Sequence, residues 1–160
     1  MTVFSELLFL RGFVIFVYLG LLSVAAFMDW NTRTIKDRFP IGIALLGFAA
    51  LFLFPEHDAA DRLIGAAAAA GPMLILALVK EGAFGGGDIK LMAAGGFFLG
   101  WRASLAAAWI GLTAAALYCV VLMLKRRLTF KDTIAFGPFL ALGLGIASLW
   151  GDELAYMALI

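Results

Sequence analysis

Two aspartates lie at the edges of long apolar stretches rather than within charged loops. Asp29 ends the first apolar run, and Asp88 follows three consecutive glycines and precedes another apolar run. When two carboxyl groups share a site, repulsion and desolvation raise the pKa of one, so one is ionised and the other protonated. The ionised group can take a proton from water while the neutral one polarises a carbonyl. Asp29 and Asp88 are therefore candidate catalytic residues for hydrolysis of an amide bond.

The residues around Asp88 indicate how a substrate could reach it. Gly85, Gly86 and Gly87 have no Cβ, so an extended peptide can approach the acid closely. We place these glycines and Lys90 among the candidate substrate-binding residues. Two simpler interpretations stay open: Asp88 caps the N-terminus of a helix, and Lys90 extends its charge from an apolar surface towards the lipid headgroups.

The composition requires a lipid environment around these residues. Of the 160 residues, 64% are hydrophobic and 14% are charged, and the mean hydropathy is +1.04. Soluble domains average about 45–50% apolar and about 25% charged residues. We therefore expect an all-α, polytopic membrane protein that forms one domain over residues 1–160, with the lipid bilayer as a partner.

Composition also excludes several functions. The net charge is only +1, and no basic patch is interleaved with aromatic residues, so nucleic acid is not an expected partner. Cys119 is the single cysteine, which excludes an internal disulfide and a cysteine-rich zinc site. His57 has no second histidine or cysteine nearby. We expect neither a metal site nor a cofactor.

Apolar runs between charged breaks define six candidate transmembrane helices. They cover residues 7–28, 40–54, 63–79, 90–99, 103–124 and 134–150. The fourth is the weakest, because Gly95, Gly96 and Gly100 loosen it and its apolar core is short for a crossing. Small residues such as Gly65, Gly96 and Gly143 mark expected helix contacts, since close backbone approach drives helix packing in lipid. Pro72 and Pro138 fall inside apolar runs and are expected to kink their helices.

Charge alternates from one connection to the next. The connections after the first, third and fifth segments hold most of the 12 basic residues, namely Arg33, Lys36, Arg38, Lys80, Lys90, Lys125, Arg126, Arg127 and Lys131. The opposite end holds Glu56, Asp58, Asp61, Asp152 and Glu153, with Arg62 and Arg102 as its basic members. The protein is expected in the inner membrane. Because cytoplasmic loops are enriched in Lys and Arg, both termini are expected outside the cytoplasm. Two crossings separate Asp29 from Asp88, so both acids are expected at the cytoplasmic face.

Three segments resemble motifs of the type IV prepilin peptidases, which are GxGD aspartyl proteases. Residues 85–94 are similar to the family's G-x-G-D sequence and its continuation, and residues 29–35 resemble its first catalytic stretch. Residues 136–143 resemble the F-G-P-F-L-A-x-G sequence of its last helix. One difference is that Lys36 and Asp37 follow Ile35 where the family usually has Pro and Asn.

The resemblance implies a six-helix endopeptidase with Asp29 and Asp88 as its catalytic pair. Its substrates would be type IV prepilin-like precursors, whose basic leader is removed after a glycine on the cytoplasmic side. The longer members also N-methylate the new terminus through an extension with paired cysteines. This chain lacks both features, so methyltransferase activity is not expected. In size it resembles the minimal members that serve tight-adherence pili, or the archaeal preflagellin peptidases.

The alternative from another functional class is a small transporter or channel subunit in which Asp29 and Asp88 bind a proton or cation. Transporters often show an inverted repeat and acids at mid-depth, and the sequence indicates neither. The sequence leaves the particular precursor, the host and the oligomeric state open.

Overall fold

The computed structural model describes residues 2–55, 57–80, 82–126 and 134–159, and within these ranges it consists of six α-helices without strands. The helices are α1 (Thr2–Thr32), α2 (Arg38–Leu53), α3 (Ala59–Val79), α4 (Gly86–Leu99), α5 (Trp101–Leu124) and α6 (Gly137–Leu159). The predicted all-α fold is confirmed. The charge argument also used Glu56, Arg127 and Lys131, which lie outside the described residues, and the side chains of Asp152 and Glu153, which lie outside the described side chains.

Three of the described helices, α1, α3 and α5, are long and apolar enough to cross a bilayer. Helix α2 and the apolar part of α6, Gly137–Trp150, are shorter, and α4 has only 14 residues. A full crossing takes about 20 residues, so six crossings stay a prediction. Large apolar side chains on the outer surface fit a lipid environment, since Phe9 and Phe52 are 75% and 86% exposed.

Helix α4 lies at the centre of the bundle. It contacts α2, α3, α5 and α6, and its residues Leu91 and Met92 are fully buried. Helix α1 packs against α2 and α6, while α5 packs against α3 and α6. A short helix surrounded by four others needs no lipid-facing surface of its own, which explains how the glycine-rich fourth segment is accommodated.

Small residues let the helices meet at backbone distance, as the sequence predicted. A Cβ on Gly65 of α3 would lie 2.5 Å from the carbonyl oxygen of Gly96 in α4, and one on Gly96 would meet the carbonyl oxygen of Gly65. Between α5 and α6, a Cβ on Gly143 would meet the carbonyl oxygen of Ala107. Any side chain at these glycines would force the helices apart.

Two predictions about individual residues are wrong. Pro138 is the second residue of α6, where the missing N–H breaks no helical hydrogen bond, so it begins the helix rather than kinking it. Pro72 does lie inside α3. Arg62 was predicted to belong to an outer charged loop, but it lies in the first turn of α3 with 1% of its surface exposed.

Arg62 joins the ends of two helices. Its guanidinium donates to the carbonyl oxygens of Ala50 at 3.1 Å and Phe54 at 3.3 Å, at the end of α2. It also donates to Phe97 at 3.4 Å and to Phe98, near the end of α4. The carbonyls of Ala50 and Phe54 also accept the backbone N–H groups of Phe54 and His57, so Arg62 is a second donor there. In the last turn of α4, where carbonyls lack intrahelical donors, Arg62 supplies donors to Phe97 and Phe98.

Candidate active site

Asp29 is held near the end of α1 by the beginning of α6. Its carboxylate is buried, with 5% of the residue exposed, and its Oδ2 accepts a hydrogen bond of 3.0 Å from the backbone N–H of Gly137. Gly137 is the first residue of α6, and the first N–H groups of a helix have no partner within the helix. The carboxylate therefore supplies an acceptor that α6 needs.

Asp88 lies in the first turn of α4, whose N-cap is Gly85. Its carboxylate reaches back and accepts a hydrogen bond from the N–H of Gly85, the geometry of the second half of a capping box. The interpretation of Asp88 as a helix-capping residue is thus correct in part. Its Oδ1, however, is buried without a hydrogen-bond partner among the described residues, and helix capping does not explain that atom.

Both aspartates line one cavity of about 500 Å³ at one end of the bundle. Its walls come from the α1–α2, α3–α4 and α5–α6 connections, represented by Arg33, Gly85 and Ala135. These are the three connections in which the sequence concentrates its basic residues. The volume lies within the range of sites that bind small molecules or a few peptide residues.

The two carboxyl groups influence each other electrostatically. Asp88 belongs to α4, outside the three helices that are long enough to cross a bilayer. Burial, and after it the negative charge of Asp29, raises the pKa of Asp88 to about 6, while the Gly85 N–H acts in the opposite direction. Asp88 therefore keeps its proton to a higher pH than an exposed aspartate does.

Known protein families include one that matches this chain over most of its length. The model of the type IV leader peptidase family matches residues 16–121, a range that contains both aspartates. The chain belongs to this family. No solved structure matches it.

Similar proteins in bacteria carry the name prepilin leader peptidase/N-methyltransferase. The one from Bacillus subtilis (strain 168) is 33% identical over 138 residues, which cover 86% of this chain and 56% of that protein. The one from Escherichia coli (strain K12) is 32% identical over 135 residues, covering 81% and 59%. The one from Aeromonas salmonicida (strain A449) is 31% identical over 141 residues, covering 83% and 47%. This type IV leader peptidase family member thus spans about half the length of these relatives.

Only some of the other predicted site residues line the cavity. Gly85 lines it beside Asp88, whereas Gly86 and Gly87 do not. Lys90 also lies outside the cavity lining, where its Nζ forms an exposed ion pair of 2.7 Å with Asp37 Oδ1. Asp37 stands where the family usually has Asn, and an Asn would not carry the negative charge that this ion pair uses. The substrate-binding role of Gly86, Gly87 and Lys90 stays a prediction.

Sequence reasoning missed three residues that the structure brings to the acids. Arg33 and Lys80 line the cavity. Both were used to orient the chain from its sequence, and Arg33 was also part of the motif over residues 29–35, but neither was given a role beside the acids. Gly137 was noticed only as part of a motif, yet its N–H is the donor to Asp29. The motif over residues 136–143 was the available signal, but a motif does not tell which of its atoms contacts an acid.

Proposed function

We propose that this protein is an intramembrane aspartyl endopeptidase that removes the leader peptide from type IV prepilin-like precursors. The observation that carries the proposal is that Asp29 and Asp88 line the same cavity. Family membership supports a peptidase, and the names of the relatives support a prepilin substrate. The proposal covers only the peptidase step and does not include the methyl transfer named for the relatives. The transporter alternative gains no support, because both acids lie at one end of the bundle.

The acid pair would hydrolyse the peptide without a metal. One proton is shared between Asp29 and Asp88, and we assign it to the pair rather than to one residue. The ionised carboxylate takes a proton from water as the water oxygen attacks the scissile carbonyl, while the protonated carboxyl donates to the carbonyl oxygen. Collapse of the tetrahedral intermediate breaks the C–N bond: the leaving amine takes a proton from the pair, and one hydroxyl of the intermediate returns a proton to the pair as the carbonyl forms again. A carboxylic acid and an amine result, and the pair regains its single proton.

Chelators and thiol reagents are expected to leave the cleavage rate within about twofold of its starting value. The reason is that neither a metal nor the half-buried Cys119 of α5 takes part in the proposed chemistry. The measurement uses purified protein in detergent with a leader-bearing prepilin, and mass spectrometry of the new N-terminus locates the cut. Complete inhibition by EDTA that zinc or magnesium reverses would reject the acid-pair mechanism.

We propose further that the cavity faces the cytoplasm, because its three connections carry the basic residues. The test introduces single cysteines into a Cys119→Ser background. A cysteine at exposed Lys36 should react with a membrane-impermeant maleimide only after cells are lysed. A cysteine at exposed Ala60, near the start of α3, should already react in unlysed cells, once the maleimide can pass the outer membrane but not the inner one. The reverse pattern would place the acid pair on the other side of the membrane.

A further inference from the structure

We propose that Gly137 is the positioning residue for Asp29. Its backbone N–H holds the carboxylate, and its lack of a side chain leaves the carboxylate room beside α6. This inference rests on the proposed function, because it assigns a task within the same reaction. Gly137 touches the carboxylate of Asp29 and takes no part in bond making itself. Helix α6 would thereby fix the orientation of an acid that belongs to α1.

The first observation is the hydrogen bond itself. The Gly137 N–H donates to Asp29 Oδ2 at 3.0 Å in a buried setting, across 108 positions of sequence. A hydrogen bond to a charged group is stronger than one between neutral groups, and the beginning of a helix favours a negative charge. With one carboxylate oxygen held by α6, the orientation of the other oxygen in the cavity is fixed as well.

The second observation is the absence of space for a side chain. A Cβ on Gly137 would lie 2.8 Å from Asp29 Oδ2 and 3.0 Å from Asp29 Cγ. Both distances are shorter than ordinary contacts of a Cβ, so the carboxylate would have to turn away or α6 would have to move. Either change moves the acid from its position in the cavity. Gly145 of the same helix differs, because a Cβ there would meet only Leu19 Cδ2, at 3.5 Å.

The third observation links this contact to the second acid. Ile35 is buried and packs against Gly137, since a Cβ on Gly137 would lie 2.9 Å from Ile35 Cδ1. Ile35 also packs against Gly87, the residue before Asp88, where a Cβ would lie 2.9 Å from Ile35 Cβ. One side chain thus separates the beginnings of α4 and α6. Gly137 therefore positions Asp29 within a packed frame that also contains the backbone next to Asp88.

Gly137→Ala is expected to lower kcat by about 100-fold, with KM changed by less than about threefold. Misplacing a reacting group by about 1 Å costs this much in rate, and the cavity that binds the peptide is otherwise intact. Steady-state cleavage of a leader-bearing prepilin by purified protein gives both constants. Gly145→Ala is the matched control and should keep kcat within about twofold of the wild-type value, because its Cβ meets only an ordinary contact.

A second variant separates positioning from packing. Ile35→Val removes Cδ1, so in the Gly137→Ala, Ile35→Val double variant the new methyl group conflicts with Asp29 but no longer with Ile35. We expect the double variant to regain thermal stability in detergent relative to Gly137→Ala and to keep the low kcat. Recovery of both quantities would overturn the inference, because Gly137 would then matter only for packing.

The outcomes distinguish this inference from the proposed function. If the wild type cleaves the precursor and the Gly137→Ala variant has the same kcat, the positioning role of Gly137 is rejected and the proposed peptidase function stands. A purified wild type that cleaves no leader-bearing prepilin would remove the proposed function and this inference with it. A folded Gly137→Ala variant with low kcat and normal KM supports both.

Discussion

Asp29→Asn and Asp88→Asn are each expected to reduce leader cleavage by about 100- to 10,000-fold, which is the contribution typical of a general acid or base. Asparagine keeps the size of the side chain but cannot exchange a proton. If the two carboxyl groups act as a unit, as proposed, the double variant should be no slower than the slower single variant. The measurement is the initial rate of leader release from a prepilin-like precursor by purified protein in detergent.

Asp58→Asn is the matched control for this prediction. Asp58 is exposed and caps α3 at the opposite end of the bundle, where its Oδ1 accepts a hydrogen bond from the N–H of Asp61 at 2.7 Å. Asparagine is an equally good N-cap, so both stability and cleavage should be unchanged. If either active-site variant stays folded and cleaves at a rate comparable to Asp58→Asn, the acid pair is not the catalytic unit.

The helices could be predicted from the sequence because hydropathy and charged breaks act locally. Each predicted apolar segment corresponds to one described helix, with most ends within a few residues. The largest difference is in α6, which ends at Leu159 instead of residue 150. The difference that matters for the site is in α4, which begins at Gly86 instead of residue 90, so Asp88 lies on the helix and not before it. A glycine run reads as a loop when taken alone. In the structure, Gly87 packs against Ile35 of the α1–α2 connection, and Asp88 in the same turn accepts a hydrogen bond from the N–H of Gly85.

Of the residues that line the candidate site, the sequence predicted the two acids and Gly85. Asp29 and Asp88 are unusual residue types at their positions, and parity of crossings predicts that they lie on the same face. The structure brings both to one cavity. The role proposed for Gly137 could not be predicted, because it depends on a backbone N–H that every residue except proline possesses and on a lack of space that only the packed helices create. Lys90 was selected for its nearness in sequence to Asp88, but successive positions of a helix point in different directions, and its charge reaches Asp37 instead.

Arg62 shows why a charge pattern misleads when a residue is buried. Counting Arg62 as an outer-loop charge had little effect on the predicted orientation of the chain, because it is one of 12 basic residues. Its burial depends on carbonyl groups at the ends of α2 and α4, and these groups come together only when the bundle forms. A position in the sequence near a helix start gives no sign of such partners.

Arg62→Ala is expected to lower the free energy of unfolding by at least about 3 kcal/mol, since each buried carbonyl left without a donor costs about 1–3 kcal/mol. Alanine would leave the carbonyls of Phe97 and Phe98 without the donors that Arg62 supplies, whereas those of Ala50 and Phe54 would keep their backbone N–H donors. The apparent melting temperature in detergent should fall by roughly 10 °C. Arg62→Lys should be intermediate, because an ammonium group cannot reproduce the planar fork of donors.

Lys125→Ala provides the control, because Lys125 is an exposed cation at the end of α5 and its loss should change stability by less than about 0.5 kcal/mol. Arg62 lies at the end of the bundle away from the acid cavity, so the folded fraction of Arg62→Ala should cleave with nearly normal kcat. This is the opposite of Asp29→Asn, which should keep stability and lose activity. If the Arg62→Ala and Lys125→Ala proteins have the same melting temperature, the carbonyl groups have found other donors. The ends of α2 and α4 would then be held by packing alone.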